Sequence, residues 1–357
     1  MSNANIVCGL YSLILNQGNK IKSNPHITEP LQRRSNIMTN QPNIIVLRKY
    51  LENTIVGQAD LLDKLVVSLL TGGHILVEGL PGLAKTTAVK ALASAVHSSF
   101  RRIQFTPDLL PGDLTGTEIY NPQAASFSFS EGPLFHEIIL ADEINRAPAK
   151  VQAALLEAMQ EKQITVGGVT RPLPELFMVM ATQNPLEQAG TYPLPEAQMD
   201  RFLLHVMLDY PSQEDELLIL QRDRERLTGT IPVPQGAVID VATVLAAREE
   251  VKRIHLAPAL EQYVVALVGA TRRIDKWLPQ FSGFIEVGAS PRGSLAIVHA
   301  AAATAYMLGR EHVIPDDIIA VAPDCLRHRI IPSFAARMEK VSRDDMLRTL
   351  LEVVPIP

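Results

Sequence analysis

The stretch Gly79-Leu80-Pro81-Gly82-Leu83-Ala84-Lys85-Thr86-Thr87 decides the fold. It follows the apolar run Ile75-Leu76-Val77 and precedes the helical pattern Ala88-Val89-Lys90-Ala91-Leu92-Ala93. Strand, loop and helix therefore stand in the order of a phosphate loop. Glycines in such a loop let backbone N–H groups turn toward a β-phosphate, and the helix N-terminus adds positive potential. Lys85 is spaced to reach the β- and γ-phosphates, and the Thr86 hydroxyl to bind Mg²⁺. Ala84 stands where the pattern usually has its last glycine, and alanine fits there if that residue already has helical dihedrals. A Gly-Pro turn with a surface lysine is the competing reading, and the flanking strand and helix weigh against it.

Outward from the loop, residues 42–210 alternate between short apolar runs and helix-length segments. Five runs read as strands: Ile75–Val77, Arg102–Phe105, Ile138–Ala141, Phe177–Ala181 and Leu203–Leu208. They look apolar on both faces, the pattern of a buried parallel sheet with helices on either side. The third strand ends in Asp142-Glu143, two acids that are costly to bury unless paired or bound to a cation. Successive strand residues point opposite ways, so the pair divides its tasks. Asp142 is the candidate for the Mg²⁺ shell and Glu143 for the base that polarises water. The fourth strand ends in Thr182-Gln183-Asn184-Pro185, where Asn184 by itself is also an ordinary turn residue.

Two excursions interrupt this core. One spans Leu109 to Phe135 and contains Ser126-Phe127-Ser128-Phe129, in which hairpin packing of the two rings outweighs a base-stacking platform. The other, Ile164 to Thr170, has two β-prone runs joined by Gly167-Gly168, a hairpin signal. Near residue 210 the texture turns helical: Ser212 reads as an N-cap with Asp215 three residues on. The expected organisation is a flexible leader over 1–41, an α/β core over 42–210 and a smaller helical domain over 211–357. Met38 is a second candidate start, because organised patterning begins just after it.

Composition sets bounds on function. The chain has 357 residues, and 33 Lys and Arg against 38 Asp and Glu give 33 − 38 = −5. That balance argues against a dedicated nucleic-acid binder, whose footprint is a basic excess. Cys8 and Cys325 form no C-x-x-C pair, which excludes a disulfide framework or zinc ribbon and suits a reducing, cytoplasmic setting. No apolar run reaches the ~18 residues of a membrane span. No Lys or Arg precedes the apolar Ile6–Leu15, so an export signal is not expected. The nine His show no metal-ligand spacing, and Gly288-Ala289-Ser290 is not a nucleophile elbow.

With these residues in view, the chain from about Ile55 onward resembles the AAA+ ATPases, and within them the MoxR family. The matching stretches are Val56-Gly57-Gln58, the phosphate loop, Leu110 to Gly116, Asp142 to Ala147, Ala181 to Pro185, Leu194 to Phe202 and Gly288 to Arg292. Met199 stands where the family usually has Leu. The resemblance implies a phosphate-loop NTPase core with a five-stranded parallel sheet and an all-α lid, using ATP and Mg²⁺. It implies that Val56 and Gly57 line the adenine pocket and that Gly79, Pro81, Gly82, Leu83, Ala84, Lys85, Thr86, Thr87 and Asp142 hold the nucleotide. Glu143, Lys85, Asn184, Arg201 and Arg292 would carry catalysis. Asn184 would be the sensor for the lytic water, Arg201 an arginine finger on a neighbouring subunit, and Arg292 a second sensor from the lid. Arg201 beside Asp200 also reads as a surface ion pair. Arg292 falls in the first turn of a helix capped by Ser290, where a cation opposes the helix dipole and calls for an external anion. A hexameric ring, a chaperone-like remodelling role and a partner with a von Willebrand factor A domain follow from the resemblance alone. A nucleic-acid-translocating motor is the alternative, disfavoured by the net charge.

Overall fold

The computed structural model describes residues 38–123, 125–185, 190–228 and 238–357. Residues 1–37 of the expected leader lie outside them. The chain enters through α1 (Gln41–Thr54) and α2 (Ala59–Thr71), then β1 (Ile75–Gly79), α3 (Lys85–Ala95) and β2 (Phe100–Gln104). The first excursion is the antiparallel hairpin β3 (Gly116–Asn121) and β4 (Ser126–Glu131). β5 (Ile138–Asp142) and α4 (Ala149–Glu161) follow. The second excursion is the hairpin β6 (Gln163–Val166) and β7 (Val169–Pro172), and then come β8 (Met178–Gln183) and β9 (Leu204–Leu208). The remaining described residues are mostly helical: α5 (Gln213–Leu227), α6 (Val241–Val251), α7 (Pro258–Arg272), α8 (Pro291–Met307), α9 (Pro315–Leu326) and α10 (Arg343–Val353). The expected all-α lid is not wholly helical, since Ile285–Val287 and Ile331–Pro332 pair there as a small antiparallel sheet.

The five core strands form one parallel sheet in the order β2-β5-β8-β1-β9, and β1 sits inside it between β8 and β9. Strand alternation sends side chains to two separate cores. Ile75, Val77, Ile138, Leu140, Met178, Met180, Leu204 and Val206 face one; Leu76, Ile139, Ala141, Val179 and Ala181 face the other. The first core is continuous with the helical region, joining Leu65 of α2 and Val89 of α3 to Val244, Ile297 and Val321 of α6, α8 and α9. The second is closed by Val151, Leu155 and Met159 of α4. One expectation changes here. β2 is not buried on both faces: it is an edge strand, and Arg101, Arg102 and Gln104 reach solvent.

Polar ties fix the helical region to the core. Glu250 on α6 accepts from the Tyr306 hydroxyl of α8 at 2.6 Å and from the backbone and side chain of Asn40 at the start of α1. Ser212 and Asp215 make the expected reciprocal cap of α5. In the β6–β7 turn, Gly167 and Gly168 both have positive φ, as a two-residue hairpin with the sheet's own twist requires. A Cβ on Gly167 would collide with the Glu118 carboxylate of β3, so the two hairpins meet at that point. Phe129 packs edge-on against Phe135 beneath the Arg171 guanidinium, and Phe127 lies exposed against Tyr120. No helix among the described residues is long and apolar enough to cross a membrane.

His74, just before β1, is buried where β1, β8 and α4 meet. Its Nδ1 accepts from the Val179 N–H at 3.0 Å, so its Nε2 carries the proton and donates to the Met159 carbonyl at 3.2 Å. Burial lowers its pKa from 6.5 to about 4, with the Met159 carbonyl opposing. The unfolded chain takes up a proton near pH 6.5 that the folded ring refuses until about 4. Stability is therefore full above about pH 6.5 and falls toward pH 4, by at most about 1.4 kcal/mol per unit for this residue. The buried His328, whose pKa is also lowered by burial, adds to the same slope. Urea unfolding between pH 4 and 7 should show that slope, and His74→Gln should make it shallower. An unchanged slope would mean that His74 is protonated in the fold.

Candidate functional site

The register of the sheet gathers polar residues at the C-terminal ends of its strands, where open α/β sheets bind ligands. Gln104 pairs with Asp142 across β2 and β5, Val77 with Thr182 and Glu78 with Gln183 across β1 and β8. A cleft of about 350 Å³ opens there, lined by Pro81 to Thr87, Arg102, Asp142, Glu143, Thr182, Gln183 and Asn184. Ten of the residues expected from the sequence thus share one cleft; Gly79 does not line it but is tied to it through Lys85.

Residues 80–84 turn from β1 into α3, whose first-turn N–H groups have no side-chain cap and face the cleft as open donors. Lys85 Nζ donates to the Gly79 carbonyl at 2.5 Å. Burial lowers the Lys85 pKa, while Asp142, Glu143 and Glu78 pull it back up. Ala84 overturns an expectation: it is left-handed, with φ 56°, and not helical. The loop needs a positive φ at its last position, the conformation glycine adopts without strain, and here an alanine bears it.

The acidic pair also separates differently than expected. β5 ends at Asp142, and Glu143 is left-handed with φ 58°. A backbone turn beyond the strand, and not strand alternation, parts the two carboxylates. Asp142 Oδ1 accepts from the Thr182 hydroxyl at 2.6 Å, and that hydroxyl accepts from the Glu143 N–H at 2.9 Å. Arg102 donates to Asp142 Oδ2 from Nε (3.0 Å) and Nη2 (2.6 Å). Glu143 Oε2 accepts from Gln104 Nε2 at 2.7 Å and Arg146 Nη1 at 3.0 Å. Open helix donors, a lysine and a strand-end carboxylate are the donor set that suits a Mg²⁺-bound polyphosphate.

The other expected residues lie elsewhere. Gly57 has φ 73°, and a Cβ on it would press on Pro211 and Asp215, so Val56-Gly57 sits against the start of α5 and outside the cleft. Arg201 and Arg292 line a second cleft of about 320 Å³ with Asp200, His299 and Arg329. The Arg201–Asp200 ion pair does not form. Asp200 is taken by the buried Arg329 at 2.7 Å and by the Ser290 hydroxyl at 3.0 Å, with Arg292 at 3.7 Å, and Arg201 donates to the Leu156 carbonyl at 2.9 Å. Ser290 caps α8 by accepting from the Arg292 N–H, as its sequence indicates. Sequence reasoning missed Arg102, Gln104, Thr182 and Arg329. The alternation Arg102-Ile103-Gln104, with two polar residues on one face of a strand, was the available signal for the first two.

A phosphate loop, a strand-end acid pair and a polar fourth strand on this sheet define a nucleotide-binding protein of the AAA class. The family model for the ATPase family associated with various cellular activities matches residues 74–204, and the AAA lid domain model matches residues 282–350. The chain is 45% identical to Chaperone MoxR1 of Mycobacterium tuberculosis over 85% of its own length and 79% of that protein's. It is 30% identical to Protein MoxR of Methylorubrum extorquens, over 85% and 92%. The crystal structure of a Cytophaga hutchinsonii protein provisionally assigned as an ATPase superposes with a TM-score of 0.84 at 42% identity, covering 92% of this chain and 99% of that one. The chain belongs to the MoxR family of AAA ATPases.

The left-handed Ala84 yields a prediction. Ala84→Gly should raise the unfolding free energy by about 1 kcal/mol, because it relieves a strained φ. Urea unfolding without nucleotide measures this, and an unchanged or lower stability would show that Ala84 carries no strain.

Proposed function

We propose that the chain is an ATP-hydrolysing AAA+ ATPase that works as a head-to-tail ring and remodels or activates protein partners. Its core would span residues 42–210 and its lid 211–357. The observation that carries the reading is the division of the catalytic set between two clefts: Lys85, Thr86, Asp142, Glu143 and Asn184 in one, Arg201 and Arg292 in the other. A site needing both sets is complete only when one copy presents its second cleft to the first cleft of the next. Repeating that heterologous contact generates a ring when the rotation closes. Six subunits, a cytoplasmic setting and a partner with a von Willebrand factor A domain rest on family resemblance.

In this mechanism the open N–H groups of α3 and Lys85 hold the β- and γ-phosphates. Thr86 and Asp142 would hold Mg²⁺, partly through water, and the ion would supply positive charge to offset that on the transferring phosphoryl group. Glu143 accepts the proton of the attacking water and Asn184 orients that water. The guanidinium of Arg201 stabilises the transition-state charge from the next subunit, with Arg292 beside it.

Glu143→Gln should retain ATP binding and lose about 100-fold or more in kcat, the usual span of a general base. Arg201→Ala should lose about 1,000-fold. The decisive measurement mixes the two inactive variants. A subunit with intact Glu143 then meets a neighbour with intact Arg201, and phosphate release should return. Mixtures no more active than their components would overturn the shared site.

A further inference from the structure

Asp142 has both carboxylate oxygens engaged by protein. Oδ1 accepts from Thr182, whose hydroxyl also takes the Glu143 N–H. Oδ2 accepts two N–H groups of a single guanidinium, from Arg102 Nε and Nη2, which converge on it from one side. Arg102 stands on the edge strand with half of its side chain in solvent, so the pair is weakly held and free to move. The same Nη2 donates to Gln104 Oε1 at 2.9 Å. That bond sets the Gln104 amide with its oxygen toward Arg102 and its nitrogen toward Glu143 Oε2, to which it donates at 2.7 Å. A single chain of contacts therefore runs from the carboxylate of the cation shell to the carboxylate of the base.

We infer that Arg102 is a positioning residue that competes with Mg²⁺ for Asp142 and passes the outcome to Glu143 through Gln104. The inference rests on the reading of this cleft as a Mg²⁺–nucleotide site. An Asp142 carboxylate already neutralised by the guanidinium attracts a divalent cation less, and the two cations repel. Entry of Mg²⁺ with ATP loosens Arg102 from Asp142. The Gln104 oxygen then loses or re-aims its donor, and the hydrogen bond restraining Glu143 changes with it. One of the two donors on Glu143 Oε2 is thus loosened as the metal arrives, while Arg146 keeps its contact at 3.0 Å. Lysine would not replace Arg102, because a point-like ammonium lacks the planar fork that spans Asp142 and Gln104 together.

The test uses the full chain and the non-hydrolysable analogue AMP-PNP, titrated with MgCl₂ and followed by calorimetry. Arg102→Met keeps most of the side chain's length without the charge, and should lower the half-saturating Mg²⁺ concentration for AMP-PNP binding roughly two- to fivefold. Arg102→Lys should fall between Arg102→Met and the parent. Turnover at Mg²⁺ concentrations below saturation should rise in Arg102→Met, because the metal then meets no competing guanidinium. An unchanged Mg²⁺ requirement in Arg102→Met would make Arg102 a bystander and overturn the inference. A raised requirement would also overturn it, since Arg102 would then grip phosphate and not compete with the metal. If the parent protein fails to bind AMP-PNP at any Mg²⁺ concentration, the nucleotide reading itself falls. A parent that binds, beside an Arg102→Met variant with unaltered Mg²⁺ dependence, removes only the role of Arg102. Melting of both variants without nucleotide separates a folding defect from a metal effect.

Discussion

The chemistry depends on the register of four parallel strands. Pairing Gln104 with Asp142, and Val77 with Thr182, brings β2, β5, β8 and β1 to their C-terminal ends together. A slip of one residue in any strand would turn its polar end into one of the two apolar cores and its apolar residues into the cleft. Burial on both faces of the central strands enforces that register: Ile139, Leu140, Val179 and Met180 are fully enclosed. The cores are thus what aligns the carboxylates, and the polar residues at the strand ends contribute chemistry more than stability.

The second cleft is organised on a different principle. Asp200 binds one buried cation, Arg329, and through it ties the segment before β9 to the turn that follows α9. Arg329 also donates to the Phe202 carbonyl at 2.7 Å. A charge buried this far would be costly alone, and burial does lower the Arg329 pKa, with Asp200 opposing. Because Asp200 is spent on Arg329 and Ser290, the guanidinium of Arg201 is left to a backbone carbonyl and stays available to an outside anion. One carboxylate thereby decides which of three neighbouring arginines is structural.

Much of this was readable in the amino-acid order. The phosphate loop, the five strands, the Gly-Gly hairpin and the caps at Ser212 and Ser290 depend on residue types within a few positions of one another, and such signals are local. Asp142 and Glu143 were readable as a pair because an apolar strand led into them. What escaped were relations between distant segments. Thr182 meets Asp142 across 40 residues, Arg102 meets Asp142 across the same span, and Asp200 meets Arg329 across 129. Backbone conformation escaped as well. Only the motif marked Ala84, which fills a place usually held by glycine, and nothing in the letters marks Glu143 as left-handed.

The contact between Gly57 and the first turn of α5 has a mechanical meaning. The loop from α1 to α2 lies so close to Pro211 and Asp215 that not even a methyl group fits between them, and Arg222 farther along α5 donates to the Asn53 carbonyl at 2.8 Å. α5 is thus pinned at two points, by the loop at its first turn and by the end of α1 farther along. A side chain at position 57 could enter only by forcing the α1–α2 loop and α5 apart.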